Sequence, residues 1–165
     1  MSTKAIFFDR DGTLIIDKHY MHKTEELEYF PDTFESLIEI QKKGYLIFMV
    51  TNQSGIGRGM FKVEDMHNVH KQMLKDFEKQ GIKITDIVYC PHAPDDCCDC
   101  RKPSPKLILG LIEKYNIDPS MSFMIGDKII DAQSGEAAGT KGITIFNDFP
   151  EHKSVQSLKE FTTLL

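Results

Sequence analysis

Ile6-Phe7-Phe8-Asp9-Arg10-Asp11-Gly12-Thr13-Leu14 is the stretch whose reading decides the fold. The short apolar run predicts a buried strand. It ends in two carboxylates two residues apart, and Gly12 turns the chain. Carboxylates just past the C-terminal end of a parallel strand stand where open α/β sheets place their ligands. Two acids this close repel unless a cation lies between them. A hard, oxygen-preferring ion such as Mg²⁺ suits them, because it takes one or two carboxylates, waters and a substrate phosphate. Asp9 then reads as a nucleophile and Asp11 as an acid/base. The plainer reading of Asp-x-Asp-Gly is a turn or capping cluster. The apolar strand before it and the matching partners later in the chain favour the chemical one.

The later partners follow strand by strand. Tyr45 to Val50 is a second apolar run, and it ends in Thr51-Asn52-Gln53-Ser54-Gly55-Ile56-Gly57-Arg58-Gly59. A hydroxyl and amides at a strand end, followed by glycines, offer donors to phosphate oxygens. The glycine spacing does not fit a dinucleotide fingerprint. Ser122 to Ile125 is another strand, followed by Gly126-Asp127-Lys128, and Asp127 is a third strand-end acid able to join Asp9 and Asp11 around a metal. Asp131 reads as a helix cap or as a group holding an active-site loop.

Strands are expected at 4–8, 45–50, 86–90, 122–125 and 142–146, and helices at 32–43, 63–80, 104–115, 131–138 and 154–164. This alternation predicts an α/β fold with a central parallel sheet covered on both faces. Met66, Val69, Met73, Leu74 and Phe77 are the expected core face of the second helix, with His67 and His70 solvated. The segment 17–30, carrying Asp17, Lys18, His19 and Tyr20, reads either as a flap over the site or as a plain solvated loop.

All four cysteines fall within Cys90-Pro91-His92-Ala93-Pro94-Asp95-Asp96-Cys97-Cys98-Asp99-Cys100. Thiolates and an imidazole in one tight loop suit tetrahedral Zn²⁺. Free or redox-active thiols are the other reading. Cys90, His92, Cys98 and Cys100 are the chosen ligands and Cys97 the spare. Four protein ligands leave no open position, so this zinc would be structural. Arg101 and Lys102 follow at the exit of the loop. There they are either solvated charges or held cations that meet phosphate, Arg101 through its bidentate fork and Lys102 as a point charge.

With 165 residues, 41% of them hydrophobic and 27% charged, the chain has the length and balance of one globular domain, expected over 1–165. The net charge of −5 argues against a nucleic-acid or membrane-surface partner. No apolar run approaches the roughly 20 residues of a bilayer span, and no signal-peptide pattern is visible. A cytoplasmic monomer is the expectation.

Taken together, Asp9-x-Asp11-Gly12-Thr13, Thr51-Asn52, Lys102-Pro103 and Gly126-Asp127-x3-Asp131 resemble the haloacid dehalogenase (HAD) superfamily of aspartate-nucleophile phosphatases. The resemblance implies a HAD-like, Rossmann-type three-layer sandwich with one Mg²⁺ on Asp9, Asp11, the Arg10 carbonyl and Asp127. It also implies that Thr51 and Lys102 hold the equatorial phosphoryl oxygens and that Lys128 neutralises and positions Asp9. Fewer than fifty residues separate each motif from the next, which leaves no room for a large cap domain. Within the superfamily, Thr51 to Ile56, Cys90-Pro91-His92, Cys98-x-Cys100-Arg101-Lys102-Pro103 and the 17–22 segment look like heptose bisphosphate phosphatases of lipopolysaccharide core synthesis. Such enzymes act on a small phosphorylated sugar, selected here by Asp17, Lys18, His19, Tyr20, Asn52, Gln53, Ser54, Arg58, Arg101 and Lys128. Seven residues between Cys90 and Cys98 resemble histidinol-phosphate phosphatases instead. A zinc-stabilised binding module with an inactive site is the alternative of another class.

Overall fold

The computed structural model describes residues 2–165. Six strands form one parallel sheet in the order β3-β2-β1-β4-β5-β6. They are β1 (Ala5–Phe8), β2 (Leu46–Asn52), β3 (Asp86–Cys90), β4 (Phe123–Gly126), β5 (Lys141–Ile145) and β6 (Lys153–Val155). The helices are α1 (Thr33–Lys42), α2 (Ser54–Gly57), α3 (Val63–Lys79), α4 (Lys106–Tyr115), α5 (Ile129–Ala137) and α6 (Leu158–Thr162).

Every residue of β1 is buried, because helices cover both sides of the sheet. Alternate side chains go to opposite layers. Ile6 and Phe8 join Ile47, Met49 and Ile125 against Leu37 and Ile40 of α1, Val69, Met73 and Phe77 of α3, and Leu158 and Phe161 of α6. Ala5 and Phe7 join Phe48, Val50 and Met124 against Ile108 and Leu111 of α4 and Ala138 beside α5. The expected three-layer α/β architecture is therefore what the chain adopts. Gly135 lets α5 lie close to β4, since a Cβ there would run into the Met124 side chain.

Three expectations need correction. The tail is not one helix over 154–164. Lys153–Val155 pairs with β5 as the sheet's edge strand, and Ser157 then caps the short α6 by accepting from the Glu160 N–H at 3.0 Å. Three residues are too few to display an alternating pattern, so pairing with β5 overrides local helical preference. Leu74 is exposed on the outer side of α3, because it falls one residue off the 66–69–73–77 face. His70 falls on that face and is buried. His67, expected to be solvated, is exposed.

β1 lies between β2 and β4, so the strand order changes direction at its ends. Ligand sites of open α/β sheets form at such a switch point, beyond the carboxyl ends of the strands. Asp9, Thr51 and Asp127 all emerge there.

Candidate active site

Past β1 the chain folds back tightly. Gly12 N–H donates to the Ile15 carbonyl at 2.7 Å, and the Arg10 carbonyl receives the N–H groups of Leu14 and Ile15. That carbonyl is thus engaged in the turn, contrary to its expected place on the metal. Gly12 has φ +79, and a Cβ there would approach Asp127 Oδ2 to 2.5 Å. Only glycine meets both demands.

Lys102 is the ion-pair centre of the site. Its side chain is 2% exposed. Its ammonium donates to Asp9 Oδ1 at 2.9 Å, Asp131 Oδ1 at 2.7 Å and the Val50 carbonyl at 2.7 Å. Asn52 pins the Lys102 backbone from both sides, accepting from its N–H at 3.1 Å and donating to its carbonyl at 3.3 Å. Burial by itself would lower the lysine's pKa, but Asp131 and Asp9 outweigh it and hold it above the ordinary range. Lys128 was expected to neutralise Asp9. It lines the cavity instead and makes no ion pair with Asp9 among the described residues; Lys102 has that role.

The converging carboxylates are Asp9, Asp127 and Asp131, with ligating oxygens within 4.8 Å of one another. Burial first, then the negative charges of Asp131 and Asp127, push Asp9 up to about 8 against the pull of Lys102. Asp127 is raised by burial and then by Asp131. Both Asp131 oxygens are occupied, one by Lys102 and one by the Lys128 N–H at 3.0 Å, which caps α5. Asp127 Oδ1 is buried with no hydrogen-bond partner. Asp9 and Asp127 therefore fit a hard cation that takes two carboxylates and completes its shell with water or phosphate.

The Asp11 carboxylate lies outside this group. Arg10 grips it twice, Nε to Oδ2 at 2.9 Å and Nη2 to Oδ1 at 3.1 Å, and Gln53 Nε2 donates to Oδ2 at 3.1 Å. Oδ2 has both lone pairs taken, while Oδ1 keeps one free. Gln53 also donates to Thr51 Oγ1 at 2.9 Å and accepts from Arg10 Nη2 at 3.2 Å. Behind this network His70 Nε2 receives Arg10 Nη1 at 3.1 Å. Burial and then the Arg10 charge push the His70 imidazole down to about 3. Its place on the Met66–Met73 face was the visible signal for burial. Nothing local in the sequence pointed to Arg10 as its partner.

Beside a narrow recess lined by Asp9, Asn52, Lys102 and Asp131 opens a cavity of about 250 Å³. Asp11, Asp17, His19, Tyr20, Asn52, Gln53, Ser54, Arg58, Arg101 and Lys128 line it. Of the 17–30 segment, Asp17, His19, Tyr20 and Met21 border the cavity. Lys18 is the exception among the expected contacts, pairing with Glu28 at 2.9 Å away from the cavity. Arg101 Nη1 is buried without a partner.

Cys90, His92, Cys98 and Cys100 also converge. Cys90 Sγ is 3.6 Å from Cys98 Sγ and 3.1 Å from Cys100 Sγ, and His92 Nδ1 is 3.5 and 3.4 Å from Cys90 and Cys100. A tetrahedral Zn²⁺ with sulfur ligands at roughly 2.3 Å spaces them by about 3.8 Å, so this donor set fits the ion. Burial and the Cys100 thiol push the Cys90 thiol up to about 12. Cys97 points away and is exposed. The loop docks on the turn after β2: the Cys90 and Pro91 carbonyls accept from the Gln53 and Gly57 N–H groups, both at 2.8 Å.

Residues 13–145 match the family described as haloacid dehalogenase-like hydrolase. The D-glycero-beta-D-manno-heptose-1,7-bisphosphate 7-phosphatase of Pasteurella multocida is 40% identical over 148 residues, 86% of this chain and 80% of that one. The D-glycero-alpha-D-manno-heptose-1,7-bisphosphate 7-phosphatase of Campylobacter jejuni is 39% identical over 164 residues, 99% of this chain and 93% of that one. Among solved structures, the D,D-heptose 1,7-bisphosphate phosphatase of B. bronchiseptica, complexed with magnesium and phosphate, superposes with a TM-score of 0.89 at 25% identity, covering 98% of this chain and 97% of that one. This chain belongs to the haloacid dehalogenase-like hydrolase family.

Proposed function

We propose that the chain is a Mg²⁺-dependent phosphatase that removes the 7-phosphate of D-glycero-D-manno-heptose 1,7-bisphosphate, a step of heptose supply for lipopolysaccharide. The observation that carries this reading is the buried Asp9, held by Lys102 in a recess beside a cavity lined by Arg58, Arg101 and Lys128. Relatives about 40% identical that carry this enzyme's name support the substrate.

Asp9 attacks phosphorus, the bond to the sugar oxygen breaks, and an aspartyl phosphate forms. Asp11 protonates the departing oxygen through Oδ1, the oxygen with a free lone pair. It then takes a proton from water, whose oxygen attacks the aspartyl phosphate and releases phosphate and free Asp9. Thr51 and the backbone around Gln53 and Ser54 orient the phosphoryl group. Lys102 holds the Asp9 carboxylate in place. Asp9 and Asp127 would hold Mg²⁺, which when bound neutralises phosphoryl charge. Arg101, Arg58 and Lys128 meet the sugar's second phosphate, and His19, Tyr20 and Ser54 face the sugar. Cys90, His92, Cys98 and Cys100 would hold a structural Zn²⁺ that fixes the approach of Arg101.

The test is kcat/KM on both anomers of heptose 1,7-bisphosphate and on histidinol phosphate, with added Mg²⁺. The reading expects a clear preference for a heptose anomer. A preference for histidinol phosphate, or phosphate release that does not respond to Mg²⁺, overturns it.

A further inference from the structure

We infer that His70 is a positioning residue for proton transfer: through Arg10 it fixes the orientation of the Asp11 carboxylate. The inference rests on Asp11 being the proton donor of the proposed reaction.

The argument starts with donor counting. Arg10 is the bulkiest fully buried side chain, 1% exposed, and a guanidinium has five N–H groups and no acceptor. Nε and Nη2 go to Asp11, and Nη2 also meets Gln53 Oε1 and the Met21 carbonyl. Nη1 has one hydrogen-bond partner among the described residues, His70 Nε2 at 3.1 Å. A guanidinium can only donate, so that imidazole nitrogen must present its lone pair and the ring proton must sit on Nδ1. His70 is itself 6% exposed, in a row with Met66, Val69 and Met73 of α3. It is therefore a neutral acceptor on a rigid helix, placed behind a cation whose front face grips the acid.

This arrangement has a geometric effect. Asp11 and Arg10 are neighbours in sequence on a tight turn, and two such side chains can pair in several ways. The bond to His70 ties the far end of the guanidinium to α3, 60 residues away. It helps hold Nε and Nη2 in the observed pairing with Asp11, in which Oδ1 keeps an open lone pair. Without His70, Nη1 is a buried donor without a partner, and the fork must shift to find one. Small displacements of a catalytic group cost rate steeply.

The experiment compares two substrates. A sugar alkoxide needs a proton to leave, whereas p-nitrophenolate does not, and kcat/KM reports the step in which that group departs. His70→Leu keeps the bulk and removes the acceptor. We expect it to lower kcat/KM on heptose bisphosphate by about tenfold or more, with p-nitrophenyl phosphate changed less than about twofold. His70→Gln, whose Oε1 can take the place of Nε2, restores the heptose value. His70→Asn, too short to reach, carries the prediction for Leu should that variant fail to fold. Asp11→Asn is the control and must show the same selectivity more strongly. If it lowers both substrates alike, the proton-donor reading falls, and this inference with it. If Asp11→Asn is selective but His70→Leu or His70→Asn lowers both substrates equally or neither, or Gln does not rescue, His70 has only a packing role.

Discussion

Lys102 crosses 93 residues of sequence to place its ammonium 2.9 Å from the Asp9 carboxylate, and its other two protons go to Asp131 and the Val50 carbonyl. All three donors are spent on protein. Lys102 in this geometry holds Asp9, the proposed nucleophile, rather than the phosphoryl oxygens expected for it. Replacing it leaves two acids buried without their cation. Lys102→Met should destabilise the fold by about 3–5 kcal/mol and eliminate measurable turnover. Denaturant unfolding and phosphate release check this. A variant of native stability would mean that Asp9 and Asp131 do not depend on Lys102.

Asp9→Asn keeps the shape and removes the attacking oxygen. Phosphate release should be lost, with the native circular dichroism retained. Its unfolding midpoint near pH 8 should be no lower than that of the parent, because one of three mutually repelling carboxylates has gone. Turnover surviving in this variant removes Asp9 as the nucleophile.

The sheet was legible because β1, β2 and β4 are buried on both faces and read as unbroken apolar runs. The strand ends were legible because each stops at a polar residue. What sequence spacing did not reveal is which polar groups choose one another. Asp11 was expected at the ion, yet the adjacent Arg10 captures it. Asp131 was read as a cap or loop anchor, and it is both a cap and a counter-ion of Lys102. His70 looked like a solvated helix residue because its partner is 60 residues away. Pairings of this kind depend on three-dimensional packing and leave no periodic mark.

The cysteine loop is tied to the cleft by the bonds from the Gln53 and Gly57 N–H groups to the Cys90 and Pro91 carbonyls, so a zinc ion held there would bear on the site. Cys98→Ser should lower bound zinc well below one per chain and reduce kcat/KM, since Arg101 and Lys102 follow directly from the loop. Chelation of the parent protein should reproduce both effects and lower its thermal midpoint. Zinc content unchanged in Cys98→Ser would refute the ligand set of Cys90, His92, Cys98 and Cys100.

Mg²⁺ and pH should act on stability together. Asp9 is pushed from 3.8 up to about 8, chiefly by burial. A fold that holds this proton more tightly than the unfolded chain gains stability below pH 4 and loses it progressively as pH rises towards 8. Without Mg²⁺, the gap in thermal midpoint between parent and Asp9→Asn should therefore move against the parent across that window. Mg²⁺ binds the ionised carboxylates and must displace the proton at lower pH. It should then raise the parent's midpoint more at pH 8 than at pH 6, and raise that of Asp9→Asn less at either pH. A midpoint shift that is the same at both pH values would mean that Asp9 is already ionised at pH 6, and that the burial of this carboxylate does not govern its charge.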